Sequence, residues 1–253
     1  MRNARSHWKE MNALRILGLD TSGKVASAAI LDTEQCLLLA ERSLYTARGH
    51  SQIIMPMVQD ILTDCGMTAQ DVDCYAVAVG PGSYTGLRIG IAAVQGMAMV
   101  NDTPCIGVST LEAMASRCFP ARDILAVMHA RAELFYAAWF SYQIYMDYDP
   151  DFIERQTPDE LQTFEALTQV ISKLPERGIT LVGDGAAEFL RQYEAAGFHK
   201  DDLRPAPPML RLQSAAGVCW QAAQYIAAHK TLPTAADLTA SYLQKVNITR
   251  KDK

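Results

Sequence analysis

The segment Tyr75–Val100, YAVAVGPGSYTGLRIGIAAVQGMAMV, narrows the possible folds more than any other part of the chain. An apolar run meets a Pro/Gly turn and a hydroxyl-bearing pair, then opens into an amphipathic run. This predicts a strand, a tight turn and a helix over about Thr85–Asn101. Such a layout can cradle phosphate, because the first N–H groups of a helix are free and point at an anion. Gly80, Gly82 and Ser83 make the turn, Ser83 or Thr85 caps the helix, and Arg88 adds a charge one turn in. The pattern is G-x-G-x-x-x-G without the G-K-[ST] of a Walker loop, so no lysine follows the turn to grip phosphates. A glycine-rich turn before a capped helix explains the same residues with no ligand at all.

The helix then carries Gly86, Gly90 and Gly96, each costing about 1 kcal/mol against alanine. Gly86, Gly90 and Ala93 lie at i, i+4 and i+7 on one bare face, with Gly96 near its edge. A bare face lets another backbone approach, either the chain's own sheet or a helix of a second chain. The preceding helix, His50–Cys65, bears an apolar stripe of Ile53, Ile54, Met57, Val58, Ile61 and Leu62 that keeps phase across Pro56. Met55 and Met57 add adaptable side chains that suit either an interface or a core.

Along the rest of the chain, ALRILGLD and the run to Leu31 read as strands joined by a Thr21–Lys24 turn, and CLLLAERSL reads as a third strand. PCIGVS precedes a helix over Thr110–Arg117. After Pro120 the order restarts with DILAVMH and AELFYAAWFSYQIY as strands. TPDELQTFEALTQVISKL reads as a helix with Thr157 as N-cap and Pro158 in its first turn. GITLVGDG is a strand, AAEFLRQYEAAG a helix closed by Gly197, RPAPP a break, and about Arg211–His229 a last helix. The repeated order predicts an α/β protein of two related lobes, 13–108 and 109–210, with the last helix packing back on the first. Residues 1–12 and 245–253 are expected to be flexible, with Met11 an alternative start.

The 253 residues are 49% hydrophobic with net charge −5 and no basic stripe, which argues against direct nucleic-acid binding. No run is long and apolar enough for a membrane span, no signal-peptide core is present, and the six scattered cysteines suit a reducing compartment, so a cytoplasmic protein is expected. The five histidines show no metal-ligand spacing, and no G-x-S-x-G elbow or nucleophilic cysteine motif occurs. In LDTSG, Asp20 at a strand end can hold a metal-bound water while Thr21, Ser22 and the backbone face a phosphate. An ordinary hairpin turn uses the same residues.

The segments ILGLDTS, GHSQIIMPMVQDIL, VAVGPGSYTGLRIG, GVSTLEAMA and ASYLQK resemble the TsaB (YeaZ) family of tRNA threonylcarbamoyladenosine biosynthesis, densely over Ile16–Ala115 and sparsely beyond. The resemblance implies an actin-like (ASKHA) two-lobed fold, each lobe a mixed sheet with flanking helices. It implies a partner without catalysis or metal of its own, paired with the larger paralogue TsaD through the two N-lobe helices. TsaE would join the assembly and tRNA would be met only indirectly. A homodimer would form when the chain is alone, and ATP or ADP would sit, if anywhere, at the partner junction. On this chain the interface is expected at His50, Met55, Met57, Gly86, Gly90, Ala93 and Met97. Asp20, Thr21, Ser22, Gly80, Gly82, Ser83 and Arg88 would be vestiges of a nucleotide site. His129 stands where the family has aspartate and Gln244 where it has arginine. The rival expectation is an active actin-like ATPase or phosphotransferase built on Asp20.

Overall fold

The first strand, β1 (Arg15–Asp20), is buried on both faces beyond Arg15, as a central strand covered on both sides must be. A computed structural model describes residues 13–46, 49–131, 133–142, 153–172, 178–199 and 202–243. In the first lobe β1 pairs antiparallel with β2 (Val25–Asp32), which pairs with β3 (Leu37–Tyr45). On its other side β1 runs parallel to β4 (Cys74–Gly80), and β4 to β5 (Cys105–Ser109). The helices α1 (His50–Asp64) and α2 (Tyr84–Ala98) cover one face of this sheet with a core of Ile54, Val58, Ile61, Ile91 and Val94. The apolar stripe of α1 runs through Pro56, which lies inside the helix.

The second lobe repeats this plan. Its β6 (Asp123–Arg131) pairs antiparallel with β7 (Leu134–Tyr142), and β7 with β8 (Ile153–Arg155). On the far side β6 runs parallel to β10 (Ile179–Val182), and β10 to β11 (Leu203–Pro205). The strand orders β3-β2-β1-β4-β5 and β8-β7-β6-β10-β11 are therefore the same, pair by pair, with β9 (Glu160–Thr163) added beside β7. The helices α4 (Phe164–Ile171) and α5 (Ala186–Ala195) cover one face around Phe135, Leu167 and Phe189.

Each half ends in a helix that crosses to the other. α3 (Thr110–Ala115) follows β5 yet buries Leu111 and Met114 against β6 and β7. α6 (Ala215–Ala228) follows β11 yet packs Val218, Cys219 and Ala222 on the first sheet, opposite α1 and α2. α3 and α6 touch where Gly217 meets the carbonyl of Ala113, with no room for a Cβ.

Two sequence expectations are corrected. The helix predicted from Thr157 starts instead at Phe164, where the Thr163 hydroxyl accepts from the Ala166 N–H at 3.2 Å. Residues 160–163 pair with β7, and that ladder outweighs the helix-start signal of Thr157–Pro158. RPAPP is no simple break, because Arg204 and Pro205 belong to β11, an edge strand that tolerates proline. The short β8 was not foreseen. Expectations for residues 1–12, 143–145, 245–253 and Gln244 fall outside the described residues. Among the described residues, no helix is long and apolar enough to cross a membrane.

Candidate functional site

The end of β1 and the start of α2 are bonded to each other. The Asp20 Oδ1 atom accepts from the Ser22 backbone N–H at 2.9 Å and from the Ser22 hydroxyl at 2.6 Å. The Thr21 hydroxyl donates to the Gly86 carbonyl at 2.7 Å, and the Ser83 N–H donates to the Ser22 carbonyl at 2.7 Å. Ser83 caps α2 by accepting from the Gly86 N–H at 3.2 Å. Asp20, Thr21 and Ser22 are fully buried. Burial pushes the Asp20 carboxyl up to about 6, against the two bonds from Ser22 that lower it, and Oδ2 has no partner among the described residues.

A cavity of about 540 Å³ opens beside this joint, between the lobes. Ser22, Lys24, His50, Ser83 and Thr85 line it from the first lobe, His129 and Asp184 from the second. Asp20 is not among its lining residues, and neither is Arg88, whose guanidinium lies 4.8 Å over the ring of Tyr84. The expected phosphate group is thus divided. Asp20, Thr21, Ser22, Gly82 and Ser83 come together, Gly80 packs against the Ser241 carbonyl, and Arg88 turns elsewhere. His50, expected on the partner face, belongs to the cavity wall, where burial lowers its pKa and leaves Nε2 without a partner among the described residues.

Two cavity residues were missed. Lys24 was read only as the end of a turn, yet it brings to the cavity the ammonium that the α2 turn lacks. Asp184 was seen only within VGDG. It is half-buried, with its carboxyl raised above the usual range by desolvation and a buried Oδ1 unpartnered among the described residues. Far apart in the sequence, the two share no spacing signal, and only the fold joins them.

The glycine face of α2 is corrected. A Cβ on Gly86 would run into the Thr21 carbonyl, and one on Gly90 would lie 2.5 Å from Thr21 Oγ1 and 3.2 Å from Val77 Cγ2. Both face the chain's own β1 turn and sheet, so they make room for self-packing. Met57 is 9% exposed and belongs to the core, and Ala93 and Met97 are half-buried against it. Met55 is 43% exposed, and a Cβ on Gly96 would meet nothing within 4 Å. The outward glycine is therefore Gly96. Near it, Met99 and Val100 are exposed at the end of α2.

Duplicated five-strand sheets with exchanged terminal helices define a two-lobed α/β protein of the actin-like class. A family model described as "TsaD: tRNA N6-adenosine threonylcarbamoyltransferase" matches residues 44–158. The chain is 32% identical over 183 residues to the tRNA threonylcarbamoyladenosine biosynthesis protein TsaB of Haemophilus influenzae, covering 71% of this chain and 75% of that one. It is 41% identical over 133 residues to TsaB of Escherichia coli, spanning 51% of this chain and about half, 55%, of that relative's length. The solved structure of YeaZ from Pseudomonas aeruginosa superposes with a TM-score of 0.71 at 24% identity, over 91% of this chain and all of that one. The chain belongs to the TsaB family.

Proposed function

We propose that this chain is an accessory subunit of tRNA threonylcarbamoyladenosine biosynthesis that acts by pairing with TsaD and performs no chemistry itself. The observation that carries this reading is the outward side of the α1–α2 pair. Met55 is exposed on α1, and Gly96, Met99 and Val100 are exposed on and after α2, the helix that packs beside it, which leaves outward apolar and small residues on both helices for a partner helix to cover. The TsaD-type family match at residues 44–158 includes both helices, and paralogues that share a surface can pair through it almost symmetrically. A homodimer in the absence of TsaD would use the same face. TsaE would join the paired subunits in the cytoplasm, tRNA would be reached through TsaD, and any ATP or ADP would lie at the subunit junction.

The site chemistry supports a partner over an ATPase. Asp20, the carboxylate an actin-like ATPase would need at a metal-bound water, is fully buried, is not among the cavity-lining residues, and has its pKa pushed up to about 6 by burial. The β6–β7 turn, the second phosphate clamp in such an enzyme, has His129 and Arg131 and no glycine. The test is to mix the purified chain with TsaD, read the mass of the complex by light scattering, and assay modified adenosine in tRNA. A stable heterodimer that restores modification is expected. Magnesium-ATP hydrolysis by the chain alone, lost in Asp20→Ala, would replace this reading with the ATPase.

A further inference from the structure

Both places where the chain passes between lobes are gripped by an arginine. At the first, β5 runs into α3 at Ser109–Thr110. The Ser109 hydroxyl donates to Asp159 Oδ2 at 2.7 Å, and Arg155 donates to Asp159 Oδ1 at 2.6 Å and to Glu112 Oε2 at 2.8 Å. The Arg155 guanidinium also lies 4.8 Å over the Phe140 ring of β7. One half-buried side chain therefore ties the second lobe to the first turn of α3, and through Asp159 to the last residue of β5. At the other passage, between β11 and α6, Arg117 of α3 donates to the carbonyls of Leu212 at 3.3 Å and Met209 at 3.4 Å.

Between these grips the lobes meet backbone to backbone at Gly217 and Ala113, a contact that can pivot but cannot be compressed. On the cavity side Ser22, Lys24, Ser83 and Thr85 of the first lobe stand across from His129 and Asp184 of the second. A partly buried ion pair with two carboxylates and a ring beneath it holds its geometry far better than an exposed one.

We propose that Arg155 is an interlobe clasp. With the Ser109–Asp159–Arg155–Glu112 chain made, the cleft stays at its present width; with it released, the lobes rotate about the α3–α6 contact and the cavity opens. This goes beyond the partner reading and does not depend on it. Hydrogen exchange of the full chain, followed by mass spectrometry, tests it with Arg155→Gln, the milder Asp159→Asn and, as a control, Arg191→Gln, which removes an exposed ion pair on α5. For Arg155→Gln, amides at 22–24, 82–86 and 128–130 are expected to exchange about ten-fold faster than wild type, with those in the middle of β1 and β6 unchanged. Asp159→Asn should give a smaller change in the same peptides, and Arg191→Gln none. Acceleration confined to 153–163 would overturn the proposal, because the arginine would then only tether β8 and β9. Equal acceleration in every peptide of Asp159→Asn would overturn it too.

Discussion

The two lobes solve one packing problem with the acid in swapped places. In each, the loop after the strand that runs parallel beside the central strand must come close to the central strand's end. In the first lobe the β4–α2 loop and the start of α2 press on the end of β1, and Gly82 and Gly86 leave room for the Ser22 and Thr21 carbonyls. In the second the β10–α5 loop presses on the end of β6, where Gly183 meets the Val127 carbonyl and Gly185 the His129 N–H. The first lobe carries its carboxyl on the strand, Asp20, and the second on the loop, Asp184. Glycines at a phosphate-like turn are thus explained by self-contact in both lobes. A glycine that needs a partner to explain it must be one that touches nothing of its own chain.

The largest effect should come from filling those contacts. Gly86→Val and Gly183→Val are each expected to cost more than about 3 kcal/mol, because backbone stands where the side chain would go and Gly183 also has φ +114°. Urea unfolding of both variants tests whether the lobes really share the device. If Gly183→Val were as stable as wild type, the symmetry between them would be broken.

Next in size is the buried carboxyl. Asp20 rises from 3.8 to about 6 on folding, so the folded state holds the proton more tightly than the unfolded one. Its contribution is fully present below about pH 4 and is lost as pH rises through about 6. Asp20→Asn keeps an acceptor for Ser22 without the charge. It should match wild type near pH 4 and exceed it by about 3 kcal/mol above pH 6, a shift of about two units at about 1.4 kcal/mol each. Asp184→Asn should move the same way, since burial raises that group as well. Denaturant midpoints across pH 4–8 read both, and a flat wild-type profile would contradict the burial of Asp20.

Much of this was legible in the sequence, and the failures have physical causes. The strands around Asp20, the helical stripe through Pro56 and the turn at Gly80–Ser83 follow from periodicity and turn chemistry, which are local. Residues 160–163 were misread because pairing with β7 is a contact distant in sequence, invisible beside a local Thr-Pro start signal. The three-residue β8 and β11 are too short to show a period. Among candidate site residues, Asp20, Ser22 and Ser83 announce themselves as turn formers, whereas Lys24 and Asp184 meet only through the fold. Spacing showed a glycine face but could not say which way it looked, because the chain's own Thr21 and a partner helix ask for the same bare surface.

The smallest effect separates the two sides of α2. Gly96→Ala, in open space within a helix, should raise stability by about 0.5–1 kcal/mol, seen as a modest rise in Tm. A fall would mean that Gly96 is already in contact with its own chain.

The most direct measurement compares Gly96→Arg with wild type for folding and for binding to TsaD, by thermal unfolding and by calorimetric titration. The expected result is a Tm no lower than wild type, since arginine suits an exposed helix position better than glycine, with a loss of TsaD binding of at least about 100-fold, near 2.7 kcal/mol. Wild-type affinity in a folded Gly96→Arg chain would contradict it.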